Sequence, residues 1–220
     1  WPDVVHYEKG AIVFKFIEGK TLGAADVRQP DVLMRVLELV KKCHTVMPLH
    51  VRGPAVIFWV FHVLRDYAHS LNDAQSRHVS ALPRLMEIAT QLERAVGAVN
   101  IVYGHNDLLP TNLMDDGTRL WLIDWDYAGF NSPLFDISNL CSNSDVSLEV
   151  ELQVLERYFE RAVDGDLLRR YHAMKCASLL REAMWSMISE IHSTLDFDYR
   201  AYTADYLSRF ERAYRDFDRL

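Results

Sequence analysis

Residues 102–129 read VYGHNDLLPTNLMDDGTRLWLIDWDYAG. Two short apolar runs, 112–114 (NLM) and 120–123 (LWLI), flank Asp115-Asp116-Gly117, a turn sequence that predicts a β-hairpin. Residues 100–103 predict a short strand leading in, and the loop after it carries His105, Asn106 and Asp107, with Pro110 stiffening the backbone ahead of Asn112. Closing the hairpin returns Asp124, at the end of the second run, to the side of Asn112. A carboxylate and an amide oxygen meeting at a strand end are two hard oxygen ligands, which suit Mg²⁺, an ion that keeps waters and binds substrate phosphates as well. Asp107 lies close to that pair but outside it, where it can accept the proton of an attacking hydroxyl.

Working outward, residues 10–17 (GAIVFKFI) are β-branched and aromatic between turn residues and predict a strand. Residues 32–43 carry apolar side chains at helical spacing, with Asp31 as the expected N-cap. Helical segments are expected over 55–71 and 79–96, with Pro83 early in the second. After Pro133 the chain reads as helical to its end, over about 147–162, 166–191 and 199–217. The fold class is therefore α+β and mostly helical, with a strand fragment in front and a small hairpin in the middle.

The chain has 220 residues, half of them apolar and a quarter charged. That is ordinary globular usage, and a chain of this length buries about 70% of its unfolded surface. The net charge of −7 without any Lys or Arg block argues against a nucleic-acid surface and mildly suits a cationic ligand. Cys43, Cys141 and Cys176 are odd in number and form no CxxC pair, so they are read as packed, reduced thiols of a cytoplasmic protein. The longest apolar stretch, 55–64, is too short to span a bilayer, and no signal peptide is visible. The chain begins with Trp1, which leads into what reads as an inner strand, and is taken as the remainder of a longer protein.

Phosphoryl transfer in kinases uses a loop Asp for the hydroxyl, an Asn five residues later for metal, and a second Asp after a hairpin. Here His105-Asn106-Asp107, Asn112 and Asp124-Trp125-Asp126 fill those slots in order. An isolated HxD is more often structural, and a DDG hairpin is commonplace; the ordered set carries the inference. HND-LLPT-N followed by LIDWDYAG resembles the aminoglycoside phosphotransferase and choline kinase superfamily rather than protein kinases, which carry HRD and DFG. FNSPLFDISN and the residues from KCASLLREAMWSMISEIH through FDYRAYTADY resemble the choline/ethanolamine kinase family in particular. The resemblance covers nearly the whole chain from Phe14 onward. It implies a protein-kinase-like carboxyl-terminal lobe (23–220) carrying the catalytic β-hairpin, preceded by a remnant strand and hinge of the amino lobe (1–22).

The activity implied is ATP-dependent phosphorylation of the hydroxyl of a small amino alcohol, choline or ethanolamine, with Mg²⁺. By resemblance Asp107 matches the general base, Asn112 and Asp124 the Mg²⁺ ligands, and His105 the brace of the catalytic loop. Phe16 and Ile17 fall in the adenine-contacting hinge, and Met114 and Ile123 at the floor beneath the base, though such apolar residues equally serve as plain core. Asp126, Tyr127, Glu182, Trp185 and Tyr202 match the region that holds the cationic head group between rings and carboxylates. Without the resemblance, Trp185 and Tyr202 would be read as helix-face packing. The partners implied are ATP and the amino alcohol, with a homodimer left open, and neither nucleic acid nor a membrane span is expected.

Glu182 stands where the family often has a second Trp, and Asn143 where it can place a Glu, which favours an ethanolamine-like primary amine. Nothing before Gly10 supplies a glycine-rich loop or phosphate-binding Lys. Two alternatives therefore stay open: a kinase of the same fold for an aminoglycoside, thiamine or homoserine, and a catalytically inactive amine-binding module.

Overall fold

The computed structural model describes residues 2–220; the expectation for Trp1 lies outside them. At the amino end, β1 (Val4–Glu8) and β2 (Ala11–Phe14) form an antiparallel ribbon turning at Gly10, whose φ of +91° suits a residue without a side chain. The single strand expected over 10–17 is thus shorter and has a partner. The strand read just after the amino end is β1, but it is not an inner one: all five of its residues are exposed and its sheet has only two strands.

β3 (Lys20–Thr21) follows, then the short α1 (Ala24–Val27) and α2 (Pro30–Val46). Helix α2 begins earlier than an N-cap at Asp31 would set it. Gln29 is the N-cap residue and Pro30 takes the first helical position, where its missing N–H costs nothing. Leu33, Val36, Leu37 and Val40 of α2 are buried.

The helix expected over 55–71 is corrected to α3 (Val60–Asp73). Val56–Phe58 lies extended against Phe130: the Phe58 amide donates to the Phe130 carbonyl at 2.9 Å, and the Phe130 amide to the Val56 carbonyl at 2.8 Å. An apolar run of this length reads equally as buried strand or buried helix, and here the strand partner decides. A 3-10 turn (Val79–Ala81) then precedes α4 (Leu82–Val96), so the segment expected from 79 is helical in two pieces.

β4 (Val102–Gly104) leads into the loop at 105–112. β5 (Leu113–Asp115) and β6 (Leu120–Leu122) make the hairpin, with Leu113 opposite Leu122 and Met114 opposite Trp121, and β3 adds to its β5 edge. β7 (Gly129–Asn131) pairs with β4.

The remainder is helical: α5 (Pro133–Ser144), α6 (Leu148–Phe159), α7 (Gly165–His192) and α8 (Tyr199–Asp218). Ser132, Ser147, Asp164 and Asp198 cap these four with their side chains. Helix α7 buries residues on every face from Leu167 to Met187, because α3, α4, α5 and α8 surround it. All three cysteines are buried and free. No helix among the described residues is long and apolar enough to cross a membrane.

Candidate active site

The loop after β4 is held from beneath by one carboxylate. Asp136, in the first turn of α5, accepts the His105 amide at 2.8 Å and the Asn106 amide at 2.7 Å. His44, from the last turn of α2, adds its Nε2 at 2.9 Å and hydrogen-bonds Tyr158 through Nδ1 at 2.7 Å. Complete burial would raise the Asp136 pKa, but the His44 bond, the nearby His44 and His105 rings and the backbone amide outweigh it and hold the carboxyl below its ordinary value.

Asn106 adopts the left-handed conformation (φ 66°). Its side chain makes that tolerable: Nδ2 donates to the Tyr127 and Gly129 carbonyls at 2.9 and 3.2 Å, and Oδ1 accepts from Asn131 at 3.1 Å. His105 is fully buried, donates from Nε2 to the Ile123 carbonyl at 2.9 Å, and packs edge-on against Trp125 with ring centroids 4.9 Å apart. It therefore ties the loop to the end of the hairpin.

Asp107 is 9% exposed. Asn112 donates from Nδ2 to the Asp107 carbonyl at 2.9 Å and to its carboxylate at 3.3 Å. The Asn112 carbonyl in turn accepts the Ile123 amide at 3.0 Å, one residue before Asp124. Asn112 thus bonds Asp107 through its side chain and, through its backbone, the residue before Asp124. Asp124 is exposed, left-handed (φ 60°), and takes no hydrogen bond from the described residues; the amide oxygen of Asn112 is likewise uncommitted.

Among the described residues, no cluster of three or more His, Cys, Asp or Glu could hold a metal. The donors here are one carboxylate and one amide oxygen. That set fits Mg²⁺ completed by phosphates and water, and does not make an all-protein cage.

Opposite the loop, α7 presents two adjacent charged residues that the sequence does not mark as a pair. Arg181, 2% exposed, donates from Nη1 to Glu182 at 2.6 Å and to Asp107 at 3.3 Å. Burial pushes the Asp107 carboxyl up, Arg181 pulls it back, Glu182 pushes it up again, and the net direction is upward. Tyr202 donates to the other oxygen of Glu182 at 2.9 Å. Asn143 bonds the Leu108 carbonyl of the loop at 3.4 Å and accepts from Tyr206 at 3.1 Å.

Of the residues expected around a head group, the structure gathers Tyr127, Glu182 and Tyr202 near Asp107, all through Arg181 or Glu182. Trp185 is half-buried and packs on Tyr202, ring centroids 6.3 Å apart. Asp126 is exposed and makes none of these contacts. The four residues expected at the nucleotide do not share one cavity. Phe16, 84% exposed, and Ile17 border a cavity of about 530 Å³ with Lys15, Asp116 and Trp121, whereas Met114 and Ile123 lie outside its lining. A larger cavity, about 1120 Å³, lies between α2 and the hairpin and touches the 102–129 stretch only through Trp125 and the hairpin's own residues.

Asp136, Arg181 and His44 are residues of the candidate site that sequence reasoning misses, and Asn106, inside the motif, has no role assigned to it there. Asp136 stands within FNSPLFDISN, but its partners are backbone amides 30 and 31 residues away, and no spacing rule links them.

The choline/ethanolamine kinase family profile matches residues 4–153. Ethanolamine kinase 2 of Rattus norvegicus is 26% identical over 220 aligned residues, covering 88% of this chain and 56% of the rat protein. This chain thus spans little more than half the length of such relatives. A choline/ethanolamine kinase family protein from Mesorhizobium loti superposes with a TM-score of 0.83 at 22% identity, over 96% of this chain and 73% of that one. LicA in complex with AMP gives a TM-score of 0.70 at 20% identity, over 99% of this chain and 73% of that one. The mostly helical α+β arrangement is therefore the protein-kinase-like fold shared by these small-molecule kinases. Within it, the chain belongs to the choline/ethanolamine kinase family.

Proposed function

We propose that the protein transfers the γ-phosphoryl group of ATP to the hydroxyl of a small amino alcohol, ethanolamine in the first instance. The observation that carries this reading is Asn112. Its amide bonds the Asp107 carboxylate at 3.3 Å while its backbone is paired to the strand that delivers Asp124. One carboxylate is thus held beside two uncommitted oxygen ligands.

Asp107 accepts the hydroxyl proton as that oxygen bonds to the γ-phosphorus and the bond to the ADP oxygen breaks. An upward-shifted carboxyl is a stronger base than an ordinary one. His105 and Asp136 keep the loop in place, so Asp107 meets the hydroxyl without reorganisation. Asn112 and Asp124 would hold Mg²⁺, which when bound neutralises charge on the phosphates. Residues 23–220 act as the helical lobe that carries the catalytic loop, with the strands and hinge of 2–22 ahead of it. The names of the relatives, ethanolamine kinase and choline kinase, and the AMP complex of LicA support the acceptor and nucleotide classes.

Asp107→Ala should lower kcat about 10²- to 10⁴-fold in an assay of ADP release with ethanolamine, leaving the KM for ATP within about threefold. Unchanged turnover in that variant removes Asp107 from the role. Turnover only with an aminoglycoside in the acceptor panel would replace the amino alcohol.

A further inference from the structure

The reading above, on which this inference rests, needs something to hold an acceptor's ammonium. The ring and carboxylate best placed for that are already gripping a cation of the protein's own. The guanidinium carbon of Arg181 stands 4.7 Å from the Tyr127 ring centroid and 5.7 Å from that of Phe58. Phe58 and Tyr127 meet edge-to-face with centroids 5.9 Å apart, and Glu182 and Asp107 supply the negative charge at 2.6 and 3.3 Å. Two rings and two carboxylates around one cation are the parts of an ammonium cage.

A guanidinium serving stability alone is expected to have its donors satisfied. Here Nε and Nη2 are buried without a hydrogen-bond partner among the described residues, so charge and ring faces hold the group rather than a full set of bonds. Burying an arginine in that state is costly, and an apolar side chain of similar volume could fill the space. The position therefore selects for the charge itself.

We propose that Arg181 is a resident cation occupying the Tyr127–Phe58–Glu182 cage, and that it sets acceptor specificity by barring a quaternary ammonium group from it. A trimethylammonium head cannot enter: the volume is filled, and a second positive charge would face the guanidinium at close range. The site is left to acceptors whose hydroxyl reaches Asp107 while their amine stays outside the cage. Trp185 and Tyr202, beside Glu182, are only half-buried, and a small head with N–H donors has less volume to place there and can hydrogen-bond.

Calorimetric titration with tetramethylammonium, without nucleotide, tests this apart from turnover. Wild type and Arg181→Lys should show no binding at millimolar ligand. Arg181→Met should gain at least about tenfold in affinity, and adding Tyr127→Leu should abolish the gain. Arg181→Gln, neutral and closer in shape, repeats the test if the methionine variant does not fold. The proposal is overturned if a folded, neutral variant gains nothing. It is equally overturned if wild type binds tetramethylammonium and Tyr127→Leu removes that binding, a measurement that needs no Arg181 variant. A protein that shows the expected pattern but consumes no ATP with any amino alcohol would sink the phosphotransfer reading and leave the Arg181 assignment standing. Turnover with ethanolamine alongside tetramethylammonium binding by wild type would do the reverse.

Discussion

Asp136 shows how one buried side chain can set the position of a loop that it never joins. Its two oxygens take two backbone amides and His44, and it is 1% exposed. Replacing it with Ala leaves two amides and the Nε2 of His44 unpaired in the interior. Asp136→Ala should therefore cost about 3–5 kcal/mol in urea unfolding, with turnover falling as the loop loosens. Asp136→Asn keeps the shape and one acceptor oxygen and should recover part of that loss. A cost under about 1 kcal/mol for the Ala variant would mean the loop is held by other groups. At this scale the legible part of the site is the part written locally: His105, Asp107 and Asn112 fall within eight residues, and the hairpin turn brings Asp124 to them. Asp136, His44 and Arg181 act across 30 to 92 residues, and that separation hides them.

The elements divide in the same way. The DDG turn and the helical spacing of α2, α6, α7 and α8 are local signals, and the structure keeps those elements with ends moved by a few residues. β7 and the extended run at Val56–Phe58 are not local: each exists because Phe130 sits between its partners. Gly129 records how tight that junction is, since a Cβ there would lie 2.8 Å from the Val56 carbonyl oxygen. Gly129→Ala should lower stability by about 1–3 kcal/mol by forcing the two backbones apart. Gly165, at the first position of α7, is the opposite case, because a Cβ there would meet nothing within 4 Å. Gly165→Ala should raise stability by about 0.4–1 kcal/mol, because Ala loses less chain entropy on entering a helix. Thermal melts of the pair decide it; equal shifts in one direction would show that neither backbone contact nor helix entropy governs these sites.

Across the whole molecule, the segments most distant in sequence are fastened by charged groups at the edge of the core. Glu190, near the end of α7, accepts from Arg77 at 2.7 Å, Thr203 at 2.8 Å and His78 at 3.1 Å, and so joins the approach to α4, α7 and α8. Burial alone would raise its pKa, but the bonds from Arg77, Thr203 and His78 outweigh it and hold the carboxyl at about 2, against an ordinary 4.5. A carboxyl depressed on folding stabilises the native state fully above its unfolded pKa, and the contribution disappears as pH falls through the folded value. The window for Glu190 therefore runs from about 4.5 down to about 2. Arg77 is half exposed, so screening reduces the effect to the order of 1–2 kcal/mol. Glu190→Gln should be less stable than wild type by that amount at pH 7. The gap should narrow through the window and close near its lower end, because both proteins then carry a neutral group at this position. Urea midpoints measured at intervals from pH 7 to the acid limit give the curve. A gap that stays constant to the bottom of the window would mean that the carboxylate is not what fastens these three segments.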